Sequence, residues 1–401
     1  MPTQPQTLAI CGAGPTGLAI AALLIKQGIN PKSITLLDAK PQPAPATKTT
    51  DLPPDPRSIA LSQGSAQVLQ TINAWPVPAT PIEQIHISRR GHFGRTLIDA
   101  AEYGLPALGY VTRYTTLVET LDDIATKAGI NMLRPAQVTR LEQHHHGVTI
   151  HLAQGDAFDA SLVIQAEGGV FGEQTPKAKT HDYNQTAIVT QVAVTAPMMQ
   201  RAFERFTAEG PLALLPQDSY SNTPVLYKDT SPSTHYALVW CVRPATAARL
   251  MDLPDKAFLD ALEQAFGSRL GSFRHVSKRH AYPLGMNADP AHTPRVVAIG
   301  NASQTLHPVA GQGLNLGLRD AVVLARYLGR EISPSALERF KKERDIDRGL
   351  TVRITDLMAR AFASTPDGSL PQTILGLSLG LIDAASPLKK LMADQMMFGR
   401  R

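Results

Sequence analysis

Cysteine is nearly absent: Cys11 and Cys241 are the only two in 401 residues. Two cysteines cannot build the disulfide framework of a small secreted domain, and no Cys/His spacing of a zinc site occurs. Both read as core thiols, which suits a reducing cytoplasm. Long apolar runs are also missing. No stretch reaches the ~18 to 20 residues that span a bilayer without glycine interruption. A dense basic block is missing too, although the chain carries a net charge of +5. Its excess of Lys and Arg is spread out, which argues against nucleic acid as a partner and is compatible with an anionic membrane surface. The triplet "HHH" (His144 to His146) sits in a polar turn and reads as solvated, with no metal assigned.

The most informative stretch is "LAICGAGPTGLAIAALLI", Leu8 to Ile25. A bare G-x-G-x-x-G is not specific, so its surroundings must decide. "TLAIC" has strand length, the glycines follow at once, and "LAIAALLIKQG" reads as a helix ending at Gly28. "SITLLDA" is a second buried strand that ends in an acid, Asp38. Strand, glycine turn, helix and acid-terminated strand make the full dinucleotide fingerprint. Gly12 would make the tight turn, Gly14 would admit a pyrophosphate to the helix N-terminus, and Gly17 would let helix and strand pack closely. Asp38 would accept from a ribose hydroxyl. A secretory signal fits poorly, because no basic residue precedes the apolar run and the acid-terminated strand would be unexplained.

At 401 residues the chain can hold one large or two ordinary domains. A Pro-rich loop runs from Pro41 to Arg57, long enough to suggest function or mobility. "SIALSQGSAQVLQTINAW" has helical spacing with Ala60, Leu61, Val68, Leu69 and Ile72 on its core face. "TRYTTLVETLDDIATKAG" predicts a helix stopping at Gly129. From about His181 the runs "TAIVTQVAV", "GPLALLPQ", "TPVLYKD" and "YALVWCV" predict an antiparallel sheet, interrupted by a helix in "KAFLDALEQAFG". The α/β pattern returns with "RVVAIGNAS" and "LNLGLRDAVVLARYLG". The expected organisation is a discontinuous nucleotide-binding domain over 1–75, 98–178 and 282–345. A substrate domain would cover 76–97 and 179–281, and a helical segment 346–401.

Three glycine-bearing sites occur in order: Gly12-x-Gly14-x-x-Gly17, "LVIQAEGG" with Glu167 and Gly168, and "VVAIGNASQTLHPVAGQGLNLGLRDA". Together with "AFERFTAEGPLALLP", "YALVWCV" and "HAYPLGM", they make the chain resemble FAD-dependent aromatic hydroxylases of the p-hydroxybenzoate hydroxylase fold. Within these it is similar to the ubiquinone-biosynthesis hydroxylases, and most to the 2-polyprenyl-6-methoxyphenol hydroxylase branch. The resemblance implies an α/β fold: a Rossmann-type FAD domain interrupted by an antiparallel β-sheet substrate domain, with C-terminal helices.

The resemblance also implies which residues meet FAD. Asn301 stands where the wider family usually has an Asp bonding the ribityl chain; an amide keeps the acceptor and adds a donor. Pro308 would stiffen the loop against the flavin ring, with Gly311 and Gly313 letting the backbone lie flat beside it. The helix starting at Leu314 and Asn315 would aim its positive end at the flavin N1–C2=O edge. Arg57 and Arg113 match positions that reach FAD, and Val138 falls where the family contacts adenine through backbone. Glu167 replaces the usual Asp, which leaves the choice between NADPH and NADH open.

The implied chemistry is hydroxylation of a polyprenyl methoxyphenol. NADPH or NADH reduces FAD, O2 adds at C4a to give a hydroperoxide, and the electron-rich ring takes the distal oxygen. A phenol is already activated, so no nucleophile or metal is required. His307 is the titratable group in the flavin-crossing segment and is expected near the substrate, not as a base. Leu214 and Pro216, in "GPLALLP", are expected to line the pocket. Alternatives are another aromatic or ring position, or a non-catalytic scaffold subunit. Other ubiquinone-biosynthesis proteins are candidate partners. The tail residues Ile374, Leu375, Leu377, Leu379, Leu381 and Ile382, with Lys389, Lys390, Arg400 and Arg401, read either as a packed helix or as a peripheral docking surface.

Overall fold

The computed structural model describes residues 7–41, 57–90, 95–168, 177–217, 235–288, 293–308, 311–345, 349 and 397–398. The predicted tail docking surface and the "TPVLYKD" strand lie outside them.

A parallel sheet forms the heart of the first unit. Its strands are β1 (Leu8–Cys11), β2 (Ile34–Leu37), β8 (Asn131–Leu133), β12 (Leu162–Gln165) and β19 (Val296–Ala298), in the order β19-β12-β1-β2-β8. β1 is central and wholly buried, which is why it reads as an unbroken apolar run. Helix α1 (Pro15–Lys26) is buried from Pro15 to Leu24, because it lies under α3 (Tyr114–Lys127) and α6 (Gln312–Leu328). A helix covered on several sides has no use for a polar face.

Two small sheets extend this unit. One joins β3 (Ser58–Ser62), β7 (Gly109–Arg113) and β4 (Ala79–Ile82); the other joins β9 (Val138–Gln143), β10 (Val148–Leu152) and β11 (Phe158–Ala160). The predicted long helix after Arg57 is therefore partly strand. Ala60 and Leu61 pair with Val111 and Tyr110 across β3 and β7, and helix α2 (Gln63–Thr71) begins only after Ser62, whose hydroxyl accepts from Ser65 N–H. Helical spacing over so short a run does not separate strand from helix. The pairing partner fifty residues on decides it. His144 to His146 are exposed where β9 turns into β10.

The second unit is a large, mostly antiparallel sheet. Its strands are β5 (Gln84–Arg89), β6 (Arg95–Asp99), β13 (Lys179–Val194), β14 (Arg201–Phe206), β15 (Pro211–Gln217), β16 (His235–Val242), β17 (Phe273–Val276), β18 (His280–Ala288) and β20 (Gln304–Thr305). The path runs β20-β18-β13-β16-β15-β14-β5-β6, with β17 beside β13. β18 and β20 carry this sheet on to Thr305, so the chain re-enters the nucleotide-binding unit while still paired to the other. One sheet face is packed by α4 (Pro244–Asp252) and α5 (Asp255–Phe266) over Phe203, Leu214, Tyr236, Trp240, Phe258 and Phe266. The other face turns to the nucleotide-binding unit. Cys11 and Cys241 are both buried and free.

The chain end returns to the body. Met397 is buried with Ala100 and Leu108, and its carbonyl oxygen passes so close to Gly64 that a Cβ there would sit 2.6 Å away. Gly64→Val will displace Met397 and Phe398 and forfeit about 2 kcal/mol of side-chain burial. Faster tryptic release of the C-terminal peptide, read by mass spectrometry, would show it. An unchanged rate would mean that this contact does not hold the tail.

Candidate active site

The glycine turn after β1 is built as its spacing requires. Gly12 has φ +103°, and a Cβ on it would meet Ala166 O and the backbone of Glu167 at 2.8 Å. A Cβ on Gly17 would overlap the Gly12 carbonyl oxygen. Gly14 differs: among the described residues, a Cβ there would meet only the Tyr114 hydroxyl, at 3.5 Å. It caps α1 with no side chain bonded to the helix N-terminus and no acid in the first turn. Among the described residues, the positive end of α1 thus faces open space, as a bound pyrophosphate needs.

Two acids flank this turn, at the ends of strands on either side of β1. Asp38 Oδ2 accepts from Ala13 N–H at 2.6 Å and Oδ1 from Lys40 N–H at 2.8 Å. Each oxygen keeps a lone pair for a further donor. Glu167 stays solvent-accessible as a residue, yet partial withdrawal of its carboxyl from water, and then the nearby Asp38 charge, raise its pKa. Gly168 beside it borders open space. Val138 opens β9 and packs with Cys11, Leu37 and Ala136, close to the Asp38 backbone, which Ala136 N–H bonds at 2.7 Å.

Arg57 stacks its guanidinium 4.1 Å over the Tyr114 ring, the same tyrosine whose hydroxyl neighbours Gly14. Arg57, Tyr114 and the mouth of α1 therefore form one cluster. Sequence reasoning had the arginine and missed the tyrosine beside it, although both strand ends meet where Tyr114 N–H bonds the Arg57 carbonyl. Arg113 precedes Tyr114 as the N-cap of α3. It is half-buried, burial lowers its pKa, and it is close enough to His235 on β16 to help lower that imidazole's pKa, after burial and His275.

The segment from Gly300 to α6 bridges the two units. Asn301 is exposed, and its Oδ1 lies 4.0 Å from where a Gly313 Cβ would be. Gly311 takes φ +61° as the N-cap of α6, again with no side chain bonded to the helix end. A second uncapped N-terminus thus opens beside Asn301, Gly313 and Leu314, with Pro308 half-buried just ahead. Asn315 is different in kind. Its side chain accepts from Ser62 N–H and Ser65 Oγ at 2.8 and 2.7 Å and donates to Gly311 O and Ala60 O at 2.7 and 3.1 Å. All four of its hydrogen-bonding positions are used, two on β3, one on α2 and one on the cap of its own helix, so only its backbone is left for a ligand.

A buried ion pair holds this segment from behind. Asp320 on α6 is fully buried and accepts from Arg344 Nε at 2.8 Å, Gly300 N–H at 3.3 Å and Gln304 Nε2 at 3.3 Å. The sequence signal was present in "GLRDA", but its partner lies on a helix over 334–345 that no local spacing connects to it.

His307 is 1% exposed, with Nε2 2.9 Å from Gln185 Oε1 on β13 and its ring edge-on to Tyr183. Burial lowers its pKa to about 4, so it is neutral at pH 7. Gln185 in turn donates to the Glu209 carbonyl at the start of the β15 hairpin.

Leu214 and Pro216 need correction. Leu214 is fully buried in the helix-backed core with Phe203, Tyr236 and Phe258. The alternation of a strand puts Pro216 on that same side. The opposite face carries Ala213, Leu215 and Gln217. Leu215 packs by Ile82 and Val111, and Gln217 Nε2 donates to Ser58 Oγ at 3.0 Å, beside Arg57. Ala213 aligns with Val239, and Val239 with Val189, to give a half-buried apolar row. The apolar strand was identified, but its side was chosen one residue out.

Space around Gly14, Gly168 and Gly313, two uncapped helix N-termini and a cation stacked at the first of them suit an anionic dinucleotide carrying a flat ring system. Gly313→Leu will fill the space beside Asn301. Flavin content should fall at least tenfold on absorbance of the purified protein, with unchanged far-ultraviolet circular dichroism. Full flavin content would remove this glycine from the site.

Comparison with known proteins agrees. A family model described as an FAD binding domain matches residues 5–348. Ubiquinone hydroxylase UbiL of Rhodospirillum rubrum is 29% identical over 95% of this chain and 87% of its own. The 3-demethoxyubiquinol 3-hydroxylase of Escherichia coli is 28% identical over 96% of each chain. Among solved structures, p-nitrophenol 4-monooxygenase PnpA of Pseudomonas putida superposes with a TM-score of 0.71 at 15% identity, over 99% of both chains.

Proposed function

The chain belongs to the FAD binding domain family and is an FAD-dependent monooxygenase, and from that premise we propose that it hydroxylates a polyprenyl methoxyphenol in ubiquinone biosynthesis. The observation that carries the substrate reading is the half-buried apolar row Val189–Val239–Ala213, with Leu215 beside it, on the sheet face turned to the cofactor unit. A surface of this kind suits a greasy ring, and the names of the curated relatives support the pathway.

FAD, reduced by NADPH or NADH, supplies the activation of O2. The chain's own residues would bind and orient. The N-terminus of α1 at Gly14, with Arg57 held on Tyr114, would take the pyrophosphate; Asp38 would accept from the adenosine ribose, and Asn301 would bond the ribityl chain. The N-terminus of α6, from Gly311 to Leu314, would favour negative charge on the pyrimidine edge of the ring. Asn315, Asp320 and His307 would act from behind, holding that segment without touching the substrate. The apolar row would seat the phenol and keep water from the reacting atoms.

The test is NADPH and NADH consumption by purified yellow protein. A short-chain 2-polyprenyl-6-methoxyphenol should stimulate oxidation and yield a hydroxylated product by mass spectrometry, while phenols without a prenyl chain should be poor. Preference for unprenylated phenols would move the reading to a soluble aromatic substrate. Lipids accumulating in a deletion strain would name the ring carbon.

A further inference from the structure

Glu204 lies on the sheet face just described and has no role in the site so far. On β14 it aligns with Ala213 of β15 on one side and Ile87 of β5 on the other, extending the row Val189–Val239–Ala213. Its neighbours in the row are thus apolar. Strand alternation puts Phe203 and Arg205 on the opposite, helix-backed side, where Phe203 joins the core and Arg205 leans over the Phe266 ring. Glu204 Oε1 is withdrawn from water and receives no hydrogen bond from any described residue. A carboxyl oxygen withdrawn from water without a donor is costly, so it calls for a reason.

We propose that Glu204 is a catalytic residue of the phenol hydroxylation, its carboxylate accepting the ring hydroxyl's hydrogen bond and taking its proton as oxygen is transferred. The assignment rests on the phenol reading above and deepens it. The O–H bond of the phenol breaks, an O–H bond forms on the Glu204 carboxyl, and the electron pair stays on the ring oxygen. That pair conjugates into the ring and makes the neighbouring carbon more nucleophilic when it needs to be. As aromaticity is restored, the ring carbon loses its hydrogen as a proton, which goes to the second oxygen atom as that atom leaves in water, and the ring oxygen recovers one from Glu204. The residue ends as it began.

The surroundings suit a base that works near neutrality. Burial alone raises the Glu204 pKa to about 7. On its sheet face the nearest ionisable groups by register are Arg89 on β5 and Cys241 on β16. The Cys241 thiol is itself held well above its ordinary range by burial and by Glu204. His307, carried by the crossing segment beside β18, is neutral at this pH. A carboxylate that loses its proton at about 7 is present above that pH and absent below it, so kcat/KM for the phenol should rise through pH 7 and level off.

The experiment uses the FAD-loaded, full-length enzyme and a short-chain 2-polyprenyl-6-methoxyphenol. Glu204→Gln keeps the shape and should retain flavin. It should lose kcat/KM on the order of 10²-fold, and the rise through pH 7 should vanish. Glu204→Ala should be equally slow but regain activity with added formate, which the Gln variant should not. Dissociation constants, followed by flavin fluorescence without reductant, should tighten above pH 7 in the parent and stay flat in Glu204→Gln. A Gln variant within threefold of the parent, with the same pH profile, overturns the assignment and leaves the phenol reading standing. A flavin-loaded parent that turns over no phenol overturns the phenol reading and this assignment with it.

Discussion

Gly14→Val will give a folded, colourless protein. Among the described residues, the only atom near a Cβ at this position is the Tyr114 hydroxyl, at 3.5 Å, so the polypeptide tolerates the side chain. What the valine fills is the space at the uncapped N-terminus of α1 that a pyrophosphate must occupy. Displacing a phosphate from several backbone N–H groups should weaken FAD by at least 10³-fold, on the order of 4 kcal/mol. Absorbance at flavin wavelengths and a thermal unfolding trace on the same sample check both halves. Gly17→Ala is the control with the opposite signature. Its Cβ would overlap the Gly12 carbonyl, so the β1–α1 crossing must open and soluble yield should collapse. If Gly14→Val purifies with full flavin, this turn does not hold the cofactor.

The second large effect belongs to Arg344→Met. Asp320 is wholly buried, and its Oδ1 is held by Arg344 Nε at 2.8 Å. Removing the guanidinium takes its closest charged donor from a carboxylate in the protein interior, at a cost of about 3–5 kcal/mol. The denaturation midpoint should drop accordingly. Flavin should be lost as well, because Gly300 and Gln304, which flank Asn301, hang on the same carboxylate. The double variant Asp320→Asn/Arg344→Met should recover much of the stability, since both buried charges are then removed together. A single variant as stable as the parent would show that the pair is dispensable.

Legibility followed contact distance along the chain. The glycine turn, Asp38 and Gly28 were readable because strand, turn and helix meet within about thirty residues, and each glycine's need is local. The segment from Gly300 to α6 was singled out only by resemblance, since spacing does not say that Asn315 spends its whole side chain on β3, α2 and its own helix cap. The sheet strands were readable as strands, yet Leu214 was placed on the pocket side and belongs to the helix-backed core.

Sequence alone thus determined a dinucleotide turn, two core cysteines and an apolar antiparallel sheet, because these follow from period, composition and short-range geometry. Tertiary structure decided which side of that sheet meets the nucleotide-binding unit, and so brought Leu215, Gln217 and Glu204 into view. It also paired Asp320 with Arg344 and buried His307 against Gln185. The reason is physical: a strand offers two equivalent faces, and only the packing of α4 and α5 on one of them leaves the other to the cofactor unit.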